Sequence, residues 1–362
     1  MRLLFGTLSR YFALRFLGAI VGVFLTVFLL ILTIDVIELM RRAGEAEGAT
    51  AMRLARLALF RTPSTAEQVL PFAVLFAALA TFLNLSRKLE LVIARAAGLS
   101  AWQFSLPIVL VAALIGVLAT TVYNPLSTAL KDKANREEAL IFTSNKAQGS
   151  RGSWLRQRSV DGEAIIQFGR IDDVTLELTD VTVFVLAPDG TFLERVEAQR
   201  GLFRGDHWRL ERGRVLTVGV EPQSMNAYVL PTYLTPAQIR GAVGQSQSVS
   251  FWSLPGVVRS LELAGLDTTR YRLRYQTLLA RPALLTAMVL IAASVSLRFL
   301  RSGGFAGMVL SGVAAGFVLY VASRIVEDLG NAGFVSTVFA AWAAPTIGAM
   351  LGSLTLLHRE DG

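Results

Sequence analysis

The amino-acid sequence predicts an α-helical membrane protein with six transmembrane helices and an inserted all-β domain of sandwich or jelly-roll type. Six stretches without a charged residue are each long enough to cross a bilayer, since a helix needs roughly 20 apolar residues to span the hydrocarbon core. A polar central block with strand-like alternation divides them three and three. The stretches are Phe16 to Ile34, Gln68 to Ser86, a span within Ala96 to Leu130, Pro282 to Leu297, Ser302 to Ser323 and Leu329 to Leu357.

The composition supports this class. Hydrophobic residues make up 53% of the chain and the mean hydropathy is positive, which is too apolar for an ordinary soluble domain. The chain contains no cysteine, so disulfides and thiol-bound metals are excluded. No clear small-residue cleavage site follows the first apolar stretch, and we expect a retained helix rather than a signal peptide.

The short loops predict the orientation, because lysine and arginine favour the cytoplasmic side. With six crossings, the basic residues of four segments fall on one side. We therefore expect both termini in the cytoplasm and the β-domain outside it. These basic residues are Arg2, Arg10, Arg15, Arg87, Lys88, Arg95, Arg298, Arg301 and Arg359.

The loop between helices one and two departs from this rule, because it carries many arginines on the predicted outer side. One interpretation is a pair of surface helices whose arginines reach the lipid headgroups. The other is a site for an anionic ligand, since guanidinium groups bind phosphate through paired hydrogen bonds. The charged residues are Glu38, Arg41, Arg42, Glu45, Glu47, Arg53, Arg56 and Arg61.

A short amphipathic helix is predicted at residues 86–98, in a cytoplasmic loop. Leu89, Val92 and Ile93 fall on one helical stripe, and Gly98 provides a stop. One interpretation is a helix that lies on the membrane surface. The other is a coupling helix that docks into a groove of a separate ATPase. The residues assigned to coupling are Arg87, Leu89, Glu90, Leu91, Val92, Ile93 and Gly98.

The central block predicts many short β-strands. Val174, Leu176 and Leu178 alternate with polar residues, and Trp208 and Leu210 do the same. Many short strands at this spacing favour a sandwich or jelly roll. The predicted domains are residues 1–135 with helices one to three, residues 136–250 with the β-domain, and residues 251–362 with a connecting helix and helices four to six.

Motifs for catalysis are missing from the sequence. No glycine is followed by lysine, so the chain has no P-loop for nucleotide phosphates. His207 and His358 are far apart and have no carboxylate at metal-ligand spacing. The sequence therefore predicts no enzyme activity, no catalytic residue, no metal site, no cofactor and no nucleic-acid partner.

Several motifs together resemble the lipopolysaccharide export permeases of the LptF/LptG (YjgP/YjgQ) family. Residues Arg87 to Gly98 match that family's coupling motif, R-x-x-E-L-x-x-x-x-A-x-G, and Ser296 to Phe299 match its loop between helices four and five. Three helices, a jelly-roll domain and three more helices form the family's architecture. Residues 41–44 are similar to the LptG branch in particular, whereas Asp35 stands where some members carry a further basic residue.

The resemblance implies a transporter subunit of the bacterial inner membrane with its β-domain in the periplasm. The chain would form a heterodimer with a sister permease, and a cytoplasmic ABC ATPase dimer would drive it. It would extract lipopolysaccharide from the membrane and pass it to periplasmic jelly-roll bridge proteins. The alternatives are an LptF-like sister subunit and a membrane scaffold without transport.

Two sites for lipopolysaccharide follow as hypotheses. Arg41, Arg42 and Arg136, with Glu38 beside them, would bind phosphorylated sugars at the outer ends of helices one and three. Ile165 and Phe168 would line an apolar groove in the β-domain. The alternative for these two residues is ordinary sandwich core.

Overall fold

The protein is described by a computed structural model that divides the chain into two compact units. One unit contains residues Met1–Ile141 and Ser248–Gly362, and the other contains Phe142–Gln247. The described residues are 6–43, 50–98, 100–142, 153–159, 162–172, 175–187, 190–217, 219–234, 239, 249–263, 267–299 and 305–358.

The first unit is helical. Among the described residues, six continuous helical segments are long and apolar enough to cross a membrane. In the sequence, an antiparallel sheet follows the third of them and precedes the fourth, which confirms the predicted fold class. The helices are α1 Thr7–Arg42, α2 Ala51–Arg87, α3 Glu90–Ala96, α4 Ala101–Leu118, a π-helical turn Ala119–Tyr123, α5 Asn124–Phe142, α6 Leu254–Leu263, α7 Thr269–Phe299, α8 Phe305–Asn331 and α9 Thr337–His358.

The first four membrane segments extend well beyond their uncharged stretches, whereas α9 begins only at Thr337. Helix α1 has 36 residues, about 54 Å at 1.5 Å per residue, against a hydrocarbon core of about 30 Å. The third segment also continues through α5 to Phe142, so the second compact unit begins at Phe142 and not at residue 136. Residues 131–142 contain neither proline nor glycine, and nothing in them ends the helix.

Helix α2 lies inside the bundle and α1 at its margin. In the most apolar window of each helix, 67% of the α2 residues are buried but only 6% of the α1 residues. Two glycines allow close helix packing. A Cβ atom on Gly316 of α8 would lie 2.2 Å from Leu75, and one on Gly312 would lie 2.7 Å from Leu79.

The second unit is a seven-stranded antiparallel sheet in the order β1-β2-β4-β5-β6-β7, with β3 paired to β4. Its buried face contains Leu155, Ile166, Phe168, Val183 and Trp208. The strands are β1 Ser153–Ser159, β2 Gly162–Phe168, β3 Arg170–Ile171, β4 Leu178–Leu186, β5 Phe192–Phe203, β6 His207–Thr217 and β7 Gln223–Pro231.

The sheet curls until its first and last strands meet at Gln157. The buried amide oxygen of Gln157 accepts hydrogen bonds from Trp208 Nε1 at 3.2 Å and from Thr232 Oγ1 at 2.7 Å. Its amide nitrogen donates to the carbonyl oxygen of Pro231 at 3.1 Å. Because a buried polar group must find partners, this one side chain fixes β1 beside β6 and the end of β7.

Candidate functional site

Three helix ends meet in a network of exposed ion pairs. Arg41 pairs with Glu38 one turn earlier on α1, at 2.8 Å. Arg42 reaches Glu138 on α5 at 3.3 Å, and Arg56 near the start of α2 reaches Glu137 at 2.9 Å. Exposed pairs of this kind contribute only about 0–1 kcal/mol each, so an anionic ligand can displace the carboxylates at small cost.

The structure thus places Arg42 and Arg56 in contact with Glu138 and Glu137, which are far from them in the sequence. Arg136 is exposed on α5, directly before the two glutamates that bind Arg56 and Arg42. Glu137 and Glu138 were not among the predicted site residues, because an acidic pair in a polar segment is usually a solvated helix face. The sequence feature that could have identified the two glutamates is their position next to Arg136, at the predicted outer end of helix three.

The predicted coupling helix is shorter than residues 86–98 and has two distinct faces. Helix α2 continues to Arg87, and Leu89 then turns the chain with a positive φ of 58°, a conformation that few residues other than glycine adopt. Gly98 ends the segment with a φ of +84°, as its predicted role as a stop requires.

The exposed residues of α3 and of the turn before it include three large apolar side chains, beside the charged Arg95. Ile93 is 65% exposed, and Leu89 and Val92 are exposed to a similar extent. Leu91 is 0% exposed and belongs to the same core cluster as Phe12 and Phe104. Leu91 therefore anchors α3 to the bundle, and its assignment to coupling stays a prediction that depends on this anchoring and not on direct contact with the ATPase.

Glu90, the first residue of α3, is bound to helix α1. The hydroxyl of Tyr11 lies 3.1 and 2.9 Å from the two carboxylate oxygens of Glu90. Beside this contact is a groove of about 440 Å³ between the start of α1 and α3. It is lined by Thr7, Leu8, Tyr11, Phe12, Glu90, Ile93, Ala94 and Ala97.

A buried polar cluster holds α2, α5 and α7 together. The carboxylate of Glu67 accepts hydrogen bonds from Asn124 Nδ2 at 2.8 Å, from Ser127 Oγ at 2.5 Å and from Arg281. Asn124 Oδ1 in turn accepts from the backbone nitrogen of Phe251 at 2.9 Å. The cluster is fully paired, as a buried charge requires.

The π-helical turn before Asn124 makes two further contacts with neighbouring segments. Thr120 Oγ1 donates to the carbonyl oxygen of Leu278 at 2.9 Å, and Trp252 Nε1 donates to that of Thr121 at 3.0 Å. Single π-helical turns inside α-helices are frequent at functional sites. Here the turn joins the third membrane segment to α7 and to the segment before α6.

In the second unit, Ile165 and Phe168 do not line one groove. Phe168 is 1% exposed within the core, whereas Ile165 is half-buried on the other face of β2. Residues three apart in a strand point to opposite faces, which the joint assignment overlooked. For Phe168 the structure favours the alternative that the sequence left open, the domain core.

The family model and the individual proteins that this chain resembles belong to the same family. The model of the lipopolysaccharide export system permeases LptF/LptG matches residues 10–359. The lipopolysaccharide export system permease protein LptG of Haemophilus influenzae is 23% identical over 347 residues, covering 92% of this chain and 94% of the relative. The protein of the same name from Escherichia coli K12 is 24% identical over 373 aligned positions, covering 99% of both.

Proposed function

Because the chain belongs to the LptF/LptG family of lipopolysaccharide export system permeases, we propose that it is the LptG-type subunit of an ABC-type exporter. The subunit pairs with a sister permease in the bacterial inner membrane. A separate cytoplasmic ATPase dimer supplies the energy. The pair extracts lipopolysaccharide and passes it to periplasmic bridge proteins of the jelly-roll type.

The observation that carries this proposal is the two-sided coupling segment α3. Its exposed stripe of Leu89, Val92 and Ile93 offers apolar surface for a groove in a partner. Its buried face is anchored by Leu91 in the core. A helix that only rested on the membrane would not need a polar attachment of Glu90 to α1. The segment is therefore suited to transmit force from an ATPase.

The outer end of the helical unit supports lipopolysaccharide as the ligand. Arg41, Arg42 and Arg136 are exposed, and guanidinium groups bind the phosphates of sugar headgroups through paired hydrogen bonds. The apolar surface of α1 beneath them suits acyl chains. The basic residues of the short loops favour a cytoplasmic position for both termini and a periplasmic position for the β-unit.

Co-purification tests the proposal. A tagged chain solubilised from its own bacterium should bring down one copy of a second permease and two copies of a P-loop ATPase. The variant Ile93→Asp should lose the ATPase and keep the sister permease, since a charge on the stripe cannot enter an apolar groove. Recovery of the chain alone, or of an unchanged ATPase complement with Ile93→Asp, would contradict the proposal.

A further inference from the structure

We propose that Tyr11 is a positioning residue that connects the coupling segment to α1, so that movement of α3 is transmitted along α1 to the arginines at its far end. The inference rests on the proposed function, because it assumes that an ATPase moves α3. It adds a residue that does not touch ligand or nucleotide and acts through Glu90.

The hydrogen bonds around Tyr11 fix the direction of its proton. Arg15, one turn later on α1, donates from Nε to the phenolic oxygen at 3.0 Å, and its guanidinium carbon lies 5.2 Å from the ring centroid. With an acceptor position of the oxygen filled by Arg15, the hydroxyl proton is available for the carboxylate of Glu90. A hydrogen bond to a charged acceptor is stronger than one between neutral groups.

The Tyr11–Glu90 hydrogen bond joins the start of α1 to α3 at the edge of a groove that otherwise separates them. The groove of about 440 Å³ lies between the start of α1 and the exposed side of α3, so close packing does not hold that side of α3. Phe12 and Leu91 pack on the core side. A pull on the exposed stripe of α3 therefore reaches α1 through two points, the packed core and the Tyr11–Glu90 bond.

Helix α1 is suited to carry the movement. It is continuous from Thr7 to Arg42 and contains no proline, whereas α2 contains Pro63 and Pro71 and the third segment contains the π-helical turn. Arg41 is 30 residues after Tyr11, about 45 Å along the helix axis. A shift of the Tyr11 end therefore displaces the arginines that are proposed to bind the ligand.

The variant Tyr11→Phe removes only the hydroxyl and tests the inference. In a reconstituted complex, we expect it to retain its ATPase subunits and to hydrolyse ATP within about twofold of the wild-type rate. Lipopolysaccharide released per ATP should fall by about fivefold to tenfold, which corresponds to loss of one hydrogen bond to a charged group at a partly exposed position.

The chain offers a matched control. Tyr320 on α8 accepts from Arg324 Nε at 3.1 Å, with the guanidinium carbon 5.3 Å from its ring, the same arrangement one turn apart. Tyr320→Phe should leave release per ATP unchanged. Lower release per ATP in both variants would indicate a general effect of losing a tyrosine hydroxyl and would overturn the inference. Wild-type release per ATP in Tyr11→Phe would also overturn it.

A double-mutant cycle separates this bond from a general weakening of the fold. If the hydroxyl acts through Glu90, Tyr11→Phe and Glu90→Gln together should lower release per ATP less than the product of their separate effects. Multiplicative effects would overturn the inference while the proposed function stands. Wild-type complex that shows no ATP-dependent release would overturn both.

Discussion

Glu67 of α2 and Arg281 of α7 form an ion pair that is almost entirely enclosed by protein, with 8% of the Glu67 side chain and 16% of the Arg281 side chain exposed. Removing one member of a buried pair leaves an uncompensated charge, whereas removing both is often neutral. We therefore expect Glu67→Leu to lower the free energy of unfolding by about 3–5 kcal/mol.

The double variant Glu67→Leu with Arg281→Met should recover most of that loss. Thermal unfolding of the purified protein in detergent measures both variants against the wild type. If Glu67→Leu unfolds at the wild-type temperature, the pair does not hold α2 to α7. An equal loss in the double variant would assign the stability to packing and not to charge.

The two faces of α3 should respond differently to truncation. Leu91→Ala leaves a cavity in the core, and we expect a loss of about 2–5 kcal/mol in the free energy of unfolding. Ile93→Ala removes an exposed side chain and should change stability by less than about 0.5 kcal/mol, yet it should reduce the amount of ATPase that co-purifies. Equal stability losses would contradict the division of α3 into a buried and an exposed face.

The ion pairs at the outer end of α1 should compete with the ligand. Glu138→Gln removes one carboxylate partner of Arg42, and because an exposed pair contributes at most about 1 kcal/mol, lipopolysaccharide should bind more tightly by up to roughly fivefold. Arg41→Glu with Arg42→Glu should weaken binding and ligand crosslinking. Direct binding to the purified complex measures both, and Glu211→Gln in the β-unit is the control for loss of a single exposed carboxylate.

The buried amide of Gln157 should be important for the curl of the sheet. Gln157→Leu leaves Trp208 Nε1 and the carbonyl oxygen of Pro231 without their partner, and each buried unpaired group costs about 1–3 kcal/mol. We expect faster hydrogen exchange of the β7 amides in the full-length protein. Glu163→Gln, on the neighbouring strand but half-buried, should leave that exchange unchanged; unchanged exchange in Gln157→Leu would rule out the closure.

Much of the fold was predictable because membrane helices give strong sequence signals. Three of the uncharged stretches, Phe16 to Ile34, Gln68 to Ser86 and Pro282 to Leu297, lie within helices that the structure extends at both ends, since polar residues outside the hydrocarbon core continue a helix without changing its apolar pattern. The sixth stretch, Leu329 to Leu357, instead crosses the turn between α8 and α9, and α9 begins only at Thr337. Strand alternation located β6, which contains Trp208 and Leu210. It did not give the start of β4, because Leu176 lies before the strand with a positive φ of 55° and only Leu178 belongs to the strand, while Val174 lies outside the described residues. The break at Leu89 was not predictable, because a leucine with a positive φ has no sequence signature.

The candidate site was predictable only in part. Arg41, Arg42 and Glu90 were recognised from charge and from the family motif. Their partners Glu138 and Tyr11 lie 96 and 79 residues away in the chain, and such pairs depend on helix packing that a single sequence does not specify. Ile165 and Phe168 were placed together although strand periodicity separates them.

We propose that this chain couples ATP hydrolysis to movement of lipopolysaccharide. ATP-dependent release of lipopolysaccharide from vesicles that contain the purified complex, with a soluble periplasmic acceptor present, measures this coupling. We expect release with the complete complex and none when this chain is omitted or carries Ile93→Asp. Release at the wild-type rate without this chain would show that the chain does not couple the two processes.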